Sequence, residues 1–152
     1  MNILDGLLGE HAAMLTLFQH LEQSATRMDL ERLHEAGLLL ERVVTVHSIG
    51  EDRFLFDAAT EAAAQATAGL REVLHAMHTE HMQLALELDK LRGTDNEAAA
   101  RGCLQRVIEV AREHFEVEER VLFQAAGSQI GREKLEELGA AWKRYRMKEA
   151  LT

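Results

Sequence analysis

The chain has 152 residues, a formal net charge of −9, 47% hydrophobic residues, one cysteine and no proline. It is long enough for one domain with a real core, and its acidic balance argues against nucleic acid as a main partner. No run of about 18 apolar residues could span a membrane, and a lone cysteine cannot close an internal disulfide, so a reducing cytoplasmic setting is expected.

The N-terminus, MNILDGLLGEH, lacks the basic and long apolar regions of a signal peptide. A first amphipathic helix is predicted from about Ile3 to Met28, with Leu4, Leu7, Leu8, Met14, Leu15, Phe18 and Leu21 at three- and four-residue steps. Asp29 suits the N-cap of a second helix, which carries Leu33, Leu40, Val43, Val44, Phe54 and Leu55 on one side. A turn is expected between residues 62 and 68, and the third helix runs on to Leu91. GTDN at 93–96 is the clearest break in the chain. The fourth helix covers about Glu97 to Ala126. A shorter fifth segment, about 132–150, places Leu135, Leu138, Trp142 and Tyr145 on one face. With no alternating run or hairpin signal, the expectation is all-α: an up-down-up-down antiparallel four-helix bundle over about 3–126 with a short C-terminal fifth helix, in a single domain spanning 1–152. Nothing in the pattern demands an obligate oligomer, so a monomer or weak homo-oligomer is expected.

The eight histidines sort by helical face at about 100° per residue. His11 aligns with Met14, Phe18 and Leu21, and His81 with Leu84, Leu88 and Leu91. His47 and Glu51 share a sector with Leu40 and Val43, and His114 and Glu118 share one with Val107, Val110, Val121 and Leu122. His20, His34 and His75 point elsewhere. His78 lies about 60° off His81 and one turn below it. Height agrees with direction: His11 lies 17 residues before a turn near residue 28, and His47 lies 19 after it. The middle of the 47/51 pair and His81 are each 16 residues from a turn near residue 65. Four histidines and two glutamates should therefore meet in one slab of the core.

Any one inward histidine is ordinarily a hydrogen-bonded core residue. Six ionisable groups in one slab are different, because burying them without partners costs several kcal/mol each, more than a small domain's net stability allows. A metal centre satisfies them together. The donors are too many for one tetrahedral zinc and too rich in nitrogen for calcium or magnesium. They suit two first-row transition ions bridged by carboxylates, iron before manganese. Two competitors remain: a plain structural bundle, and a ferritin-like carboxylate site using the Glu31-x-x-His34 and Glu72-x-x-His75 pairs, which face away from the apolar stripe.

The order His … His-x-x-x-Glu … His … His-x-x-x-Glu resembles the hemerythrin-like, HHE cation-binding family. It is carried by LGEHAAM, HSIGEDRFLF, HTEHMQL and HFEVEERVLF. The resemblance implies that His11, His47, His81 and His114 are iron ligands and that Glu51 and Glu118 bridge two irons. Oxygen carriers of the family have a further histidine one turn before the third-helix ligand, where this chain has Met77. Their last motif places an aspartate five residues after the histidine, whereas Glu118 is four after His114. Asp57 and Gln124 stand where a proline often follows LF. The set is closer to the four-histidine, two-glutamate subgroup that includes di-iron repair and iron-sensing domains. His78 is a candidate for an additional ligand, or for a hydrogen-bonding neighbour of the site. An even division of ligands would leave an open position on both irons. That favours O2, peroxide or nitric oxide as small ligands with redox turnover; the alternative is O2 or iron binding, sensing or storage without turnover.

Overall fold

Local chemistry explains where each helix starts. In a computed structural model describing the backbone of residues 1–64 and 68–149, and the side chains of 1–61 and 72–148, helix α1 spans Ile3–Ala25. Asn2 and Asp5 close a reciprocal capping box over its first turn. Helix α2, Leu30–Glu51, is capped by Asp29, whose carboxylate accepts from the Arg32 amide at 3.0 Å, as its sequence position predicts. Helix α3 is Asp57–Ala64 and α4 is Ala68–Gly93. The turn expected between 62 and 68 falls partly on residues 65–67, which lie outside the described residues. Helix α5, Glu97–Val117, is capped by Asn96, the last residue of GTDN. Helix α6 is Phe123–Gln129 and α7 is Arg132–Glu149. Among the described residues there is no strand, and the molecule is the all-α bundle with a C-terminal helix that the periodicity predicts.

Helices α2 and α3 are joined without a break by a π-helical turn, Asp52–Phe56, and α5 and α6 by another, Glu118–Leu122. Each adjoins the glutamate of a His-x-x-x-Glu motif: the first starts just after Glu51, the second at Glu118 itself. A π turn inserts one extra residue into the ladder, and such turns concentrate at functional sites. It also shifts the face count downstream. On an unbroken α-helix Phe54 and Val121 point fully inward; here both are half-buried, while Leu55, Leu122 and Phe123 fill the core. The first helix departs from expectation too: Leu8 and Leu15 are exposed, because the buried stripe follows Ile3, Leu7, His11, Met14 and Phe18.

The apolar core is in two parts. One, including Met14, Phe18, Leu40, Val44, Leu84, Leu104 and Phe115, fills the end of the bundle nearest the 26–29 turn. The other, including Leu7, Leu55, Met77, Leu122, Phe123 and Trp142, fills the opposite end. Each inward histidine sits in sequence between a residue of one part and a residue of the other. The polar slab therefore lies mid-bundle, sealed above and below by apolar side chains.

Helix α7 packs along α1 and the first π turn. Two glycines permit this approach. A Cβ on Gly6 would stand 2.8 Å from the Trp142 ring, and one on Gly139 would stand 2.7 Å from the Met1 carbonyl oxygen. Gly139→Leu is expected to destabilise the protein by about 1–3 kcal/mol. A gain of about 0.5–1 kcal/mol in helix propensity would only partly offset that loss. Urea titration followed by circular dichroism measures the net effect.

Candidate metal centre

His11 comes from α1, His47 and Glu51 from α2, His81 from α4, His114 from α5, and Glu118 from the start of the second π turn. Their four-residue spacing and common height bring them together mid-core. His11, His47, Glu51, His114 and Glu118 are buried, and His81 is 9% exposed at its side chain. The ring of Phe115 stacks on His11 with centroids 4.0 Å apart, and Phe123 lies parallel to it at 5.5 Å.

The donor atoms form two groups that share Glu51. In the first, donors of His11, His47, Glu51 and Glu118 lie within 4.8 Å of one another; in the second, donors of Glu51, His81 and His114 do. Glu51 Oε1 is 3.1 Å from His47 Nε2 and 3.9 Å from His11 Nε2, while its Oε2 is 3.5 Å from His81 Nε2. Glu118 Oε2 lies 3.4 Å from His11 Nε2 and 3.7 Å from His114 Nε2. Although His47 Nε2 is close enough to Glu51 for a hydrogen bond, the alignment does not make one. Both oxygens of Glu51 and both of Glu118 are buried without a hydrogen-bond partner. Four orphaned carboxylate oxygens in one place are a large unmet cost for a folded protein, and a bound cation would satisfy them together.

The outer sides of the rings give a second, independent fit. His11 Nδ1 donates to Glu119 Oε1 at 2.8 Å, His47 Nδ1 to Glu10 Oε2 at 2.8 Å, and His114 Nδ1 to Glu80 Oε2 at 2.7 Å. A carboxylate accepts, so each of the three rings carries a proton on Nδ1 and turns Nε2 to the centre. His11 and His47 then face each other Nε2 to Nε2 at 2.9 Å, and His81 and His114 do so at 3.0 Å. Such a contact needs a proton or a metal between the lone pairs.

These bracing carboxylates were missed in the sequence, although their signal is there. Glu10 adjoins His11, Glu80 adjoins His81, Glu119 adjoins Glu118 and Asp52 adjoins Glu51. A residue next to an inward one is turned about 100° around its helix. From there it reaches behind the histidine of the neighbouring helix. The bracing is incomplete at His81: Asp52 Oδ1 is 3.8 Å from its Nδ1, and neither atom has a hydrogen-bond partner. The His81 edge is also where the cluster comes nearest to solvent. Glu80→Ala is expected to weaken metal retention about 10–100-fold with helix content unchanged, measured by chelator competition and circular dichroism.

The same contacts set the protonation pattern of the metal-free fold. Burial opposes charge on His47, but Glu51 and Glu10 outweigh it and raise its pKa to about 9. Burial, assisted by His47, lowers His11 to about 4. Burial and then His81 lower His114. Burial alone would raise Glu51, yet His47 and His81 hold it below the usual carboxylate range. Glu118 is pushed well upward, by burial first and by the Glu51 charge second. The two carboxylates are thus pushed in opposite directions, Glu51 toward the ionised form and Glu118 toward the protonated one, while His47 is pushed toward its charged form.

Among the remaining histidines, His78 is exposed and stands outside both groups. His34 Nε2 donates to the Thr94 carbonyl at 2.9 Å, and Glu31, Glu72 and His75 are exposed, so the ferritin-like pairs form no cluster. Met77 is buried in the apolar floor below His81. Among the described residues no helix is long and apolar enough to cross a membrane.

An all-α bundle with a buried, carboxylate-linked histidine cluster at mid-height defines a helical metal-binding protein. The chain belongs to the hemerythrin HHE cation binding domain family, which matches residues 2–126. Family and cluster together support binding of non-heme iron or another metal ion. No curated protein and no solved structure gives a significant match.

Proposed function

We propose that the cluster holds two iron ions, with His11 and His47 on one, His81 and His114 on the other, and Glu51 and Glu118 between them. Manganese fits the same donors. The observation that carries this reading is the split of Glu51, with Oε1 toward His47 and His11 and Oε2 toward His81. A carboxylate so placed belongs to two donor groups at once. Two adjacent iron ions supply, when bound, one- and two-electron chemistry toward O2, peroxide or nitric oxide.

The chain's own part is to hold and to shield. Glu10, Glu80 and Glu119 fix the Nδ1–H of three rings, so their Nε2 atoms need no reorientation when metal binds. Phe115 and Phe123 exclude water on the His11 side. The less buried His81 edge leaves the approach for a small molecule. Redox handling of peroxide, nitric oxide or O2 is favoured because the described residues that converge on the centre number only four histidines and two glutamates.

Anaerobic iron loading and elemental analysis are expected to give two irons per chain. Mixing with peroxide or nitric oxide should then produce turnover above that of free iron. No bound metal would sink the reading outright. A stable, reversible oxygenated spectrum without turnover would favour O2 or iron binding, sensing or storage by the same site.

A further inference from the structure

Helix α7 lies beyond residues 2–126, the part that the family accounts for, yet it reaches the centre. It runs beside α1 in the same direction: Gly139 meets the chain at Met1–Ile3, Trp142 sits over Gly6, and Arg146 pairs with Glu10. Trp142 also packs against Gly50, the residue before Glu51. The Arg146 guanidinium lies 5.9 Å from the Trp142 ring and donates through two nitrogens to one oxygen of Glu10, Oε1. The other oxygen, Oε2, accepts the Nδ1–H of His47.

We infer that Arg146 is a positioning residue for His47, acting through Glu10 to tie the C-terminal helix to the candidate metal centre. The reason is geometric. Glu10 borders an open cleft of about 590 Å³ that is also lined by Arg42, Val43, Val46 and Arg146. A free glutamate there would turn its carboxylate to the water of the cleft and release His47. A guanidinium fork holding Oε1 keeps the plane of the carboxylate fixed and presents Oε2 to the ring. The hydrogen bond in turn fixes the His47 ring with Nε2 toward His11 and Glu51. Removing α7's contribution therefore loosens one ligand of the pair without touching the cluster itself.

This inference rests on the metal-centre reading only for its consequence, and two measurements on the full-length chain separate them. The first is metal-free: exchange of the His47 Nδ1–H with solvent, read by proton NMR on protein labelled with 15N-histidine. Arg146→Gln is expected to speed that exchange at least about tenfold, and Arg146→Lys to restore part of the protection. The second is cobalt(II) retention against a chelator, expected to fall about tenfold in Arg146→Gln. Circular dichroism confirms that α7 is still helical in each variant. Unchanged exchange in Arg146→Gln overturns the inference, even if cobalt binds. Equal losses in Arg146→Gln and Arg146→Lys, tracking equal falls in thermal stability, also overturn it, because α7 would then act as packing alone. Wild-type protein that binds no cobalt while its exchange still depends on Arg146 leaves the positioning intact and removes the metal-centre reading.

Discussion

Glu118→Gln is expected to separate folding from metal binding in opposite directions. In the metal-free protein, burial and the neighbouring Glu51 charge push the Glu118 carboxyl well above its ordinary value of 4.5. A raised carboxyl is held protonated in the fold but ionised in the unfolded chain. The fold therefore loses stability as pH rises from 4.5 toward the shifted value. Glutamine has the shape of the protonated acid and carries no proton to lose. The metal-free variant should match wild type near pH 4 and exceed it at pH 7. Added metal at about a hundred times its dissociation constant should stabilise wild type by about 2.7 kcal/mol and the variant far less, since the amide is a poor bridge. Denaturant curves with and without cobalt(II) or anaerobic iron(II), at both pH values, read all four quantities. Equal metal stabilisation of variant and wild type would remove Glu118 from the ligand set.

Metal uptake is expected to release protons, and His47 is the main reason. Its folded value of about 9 lies above its ordinary 6.5. The proton's contribution to metal-free stability is thus full below 6.5 and lost as pH rises through 9. A metal taken up at Nε2 must displace that proton, and Glu118 adds to the release wherever its raised carboxyl is still protonated. His11, lowered to about 4, and His114, also lowered, are already neutral and release none at pH 7. Apparent affinity should therefore climb at least about tenfold per pH unit while the His47 proton is in place. The climb should flatten as pH passes 9. Calorimetric titration with cobalt(II) in buffers of different ionisation heat counts the protons directly, with at least about one expected at pH 7. Heats that do not depend on the buffer would contradict the protonation pattern.

The legible part of this molecule follows from helical periodicity. Asp29 and the GTDN break marked helix starts because capping is a property of a few adjacent residues. The inward set His11, His47, Glu51, His81, His114 and Glu118 was visible because residues four apart share a face, and short connections equalise height. Less visible was anything that depends on departures from the regular helix. The two π turns adjoin the glutamates of similar motifs, but an extra residue in a turn is not written in residue type, so Phe54 and Val121 turned partly outward. Leu8 and Leu15 fit the apolar period yet lie on the solvent side, since the core takes a narrower stripe than hydrophobicity alone suggests.

The sequence by itself determined an all-α bundle, the four histidines and two glutamates of its slab, and the family that pattern resembles. Only the tertiary structure decided how those groups relate. Which oxygen of Glu51 faces which histidine depends on the rotation of four helices about their axes, and no single helix carries that information. Likewise, Glu10, Glu80 and Glu119 became braces only when one helix was laid beside another, because a carboxylate adjacent to one residue of the cluster serves a histidine of a different helix. The reach of Arg146 to Glu10, 136 positions away in the chain, is the extreme case. No periodicity or motif links the two positions, and packing makes Arg146 part of the support of the centre.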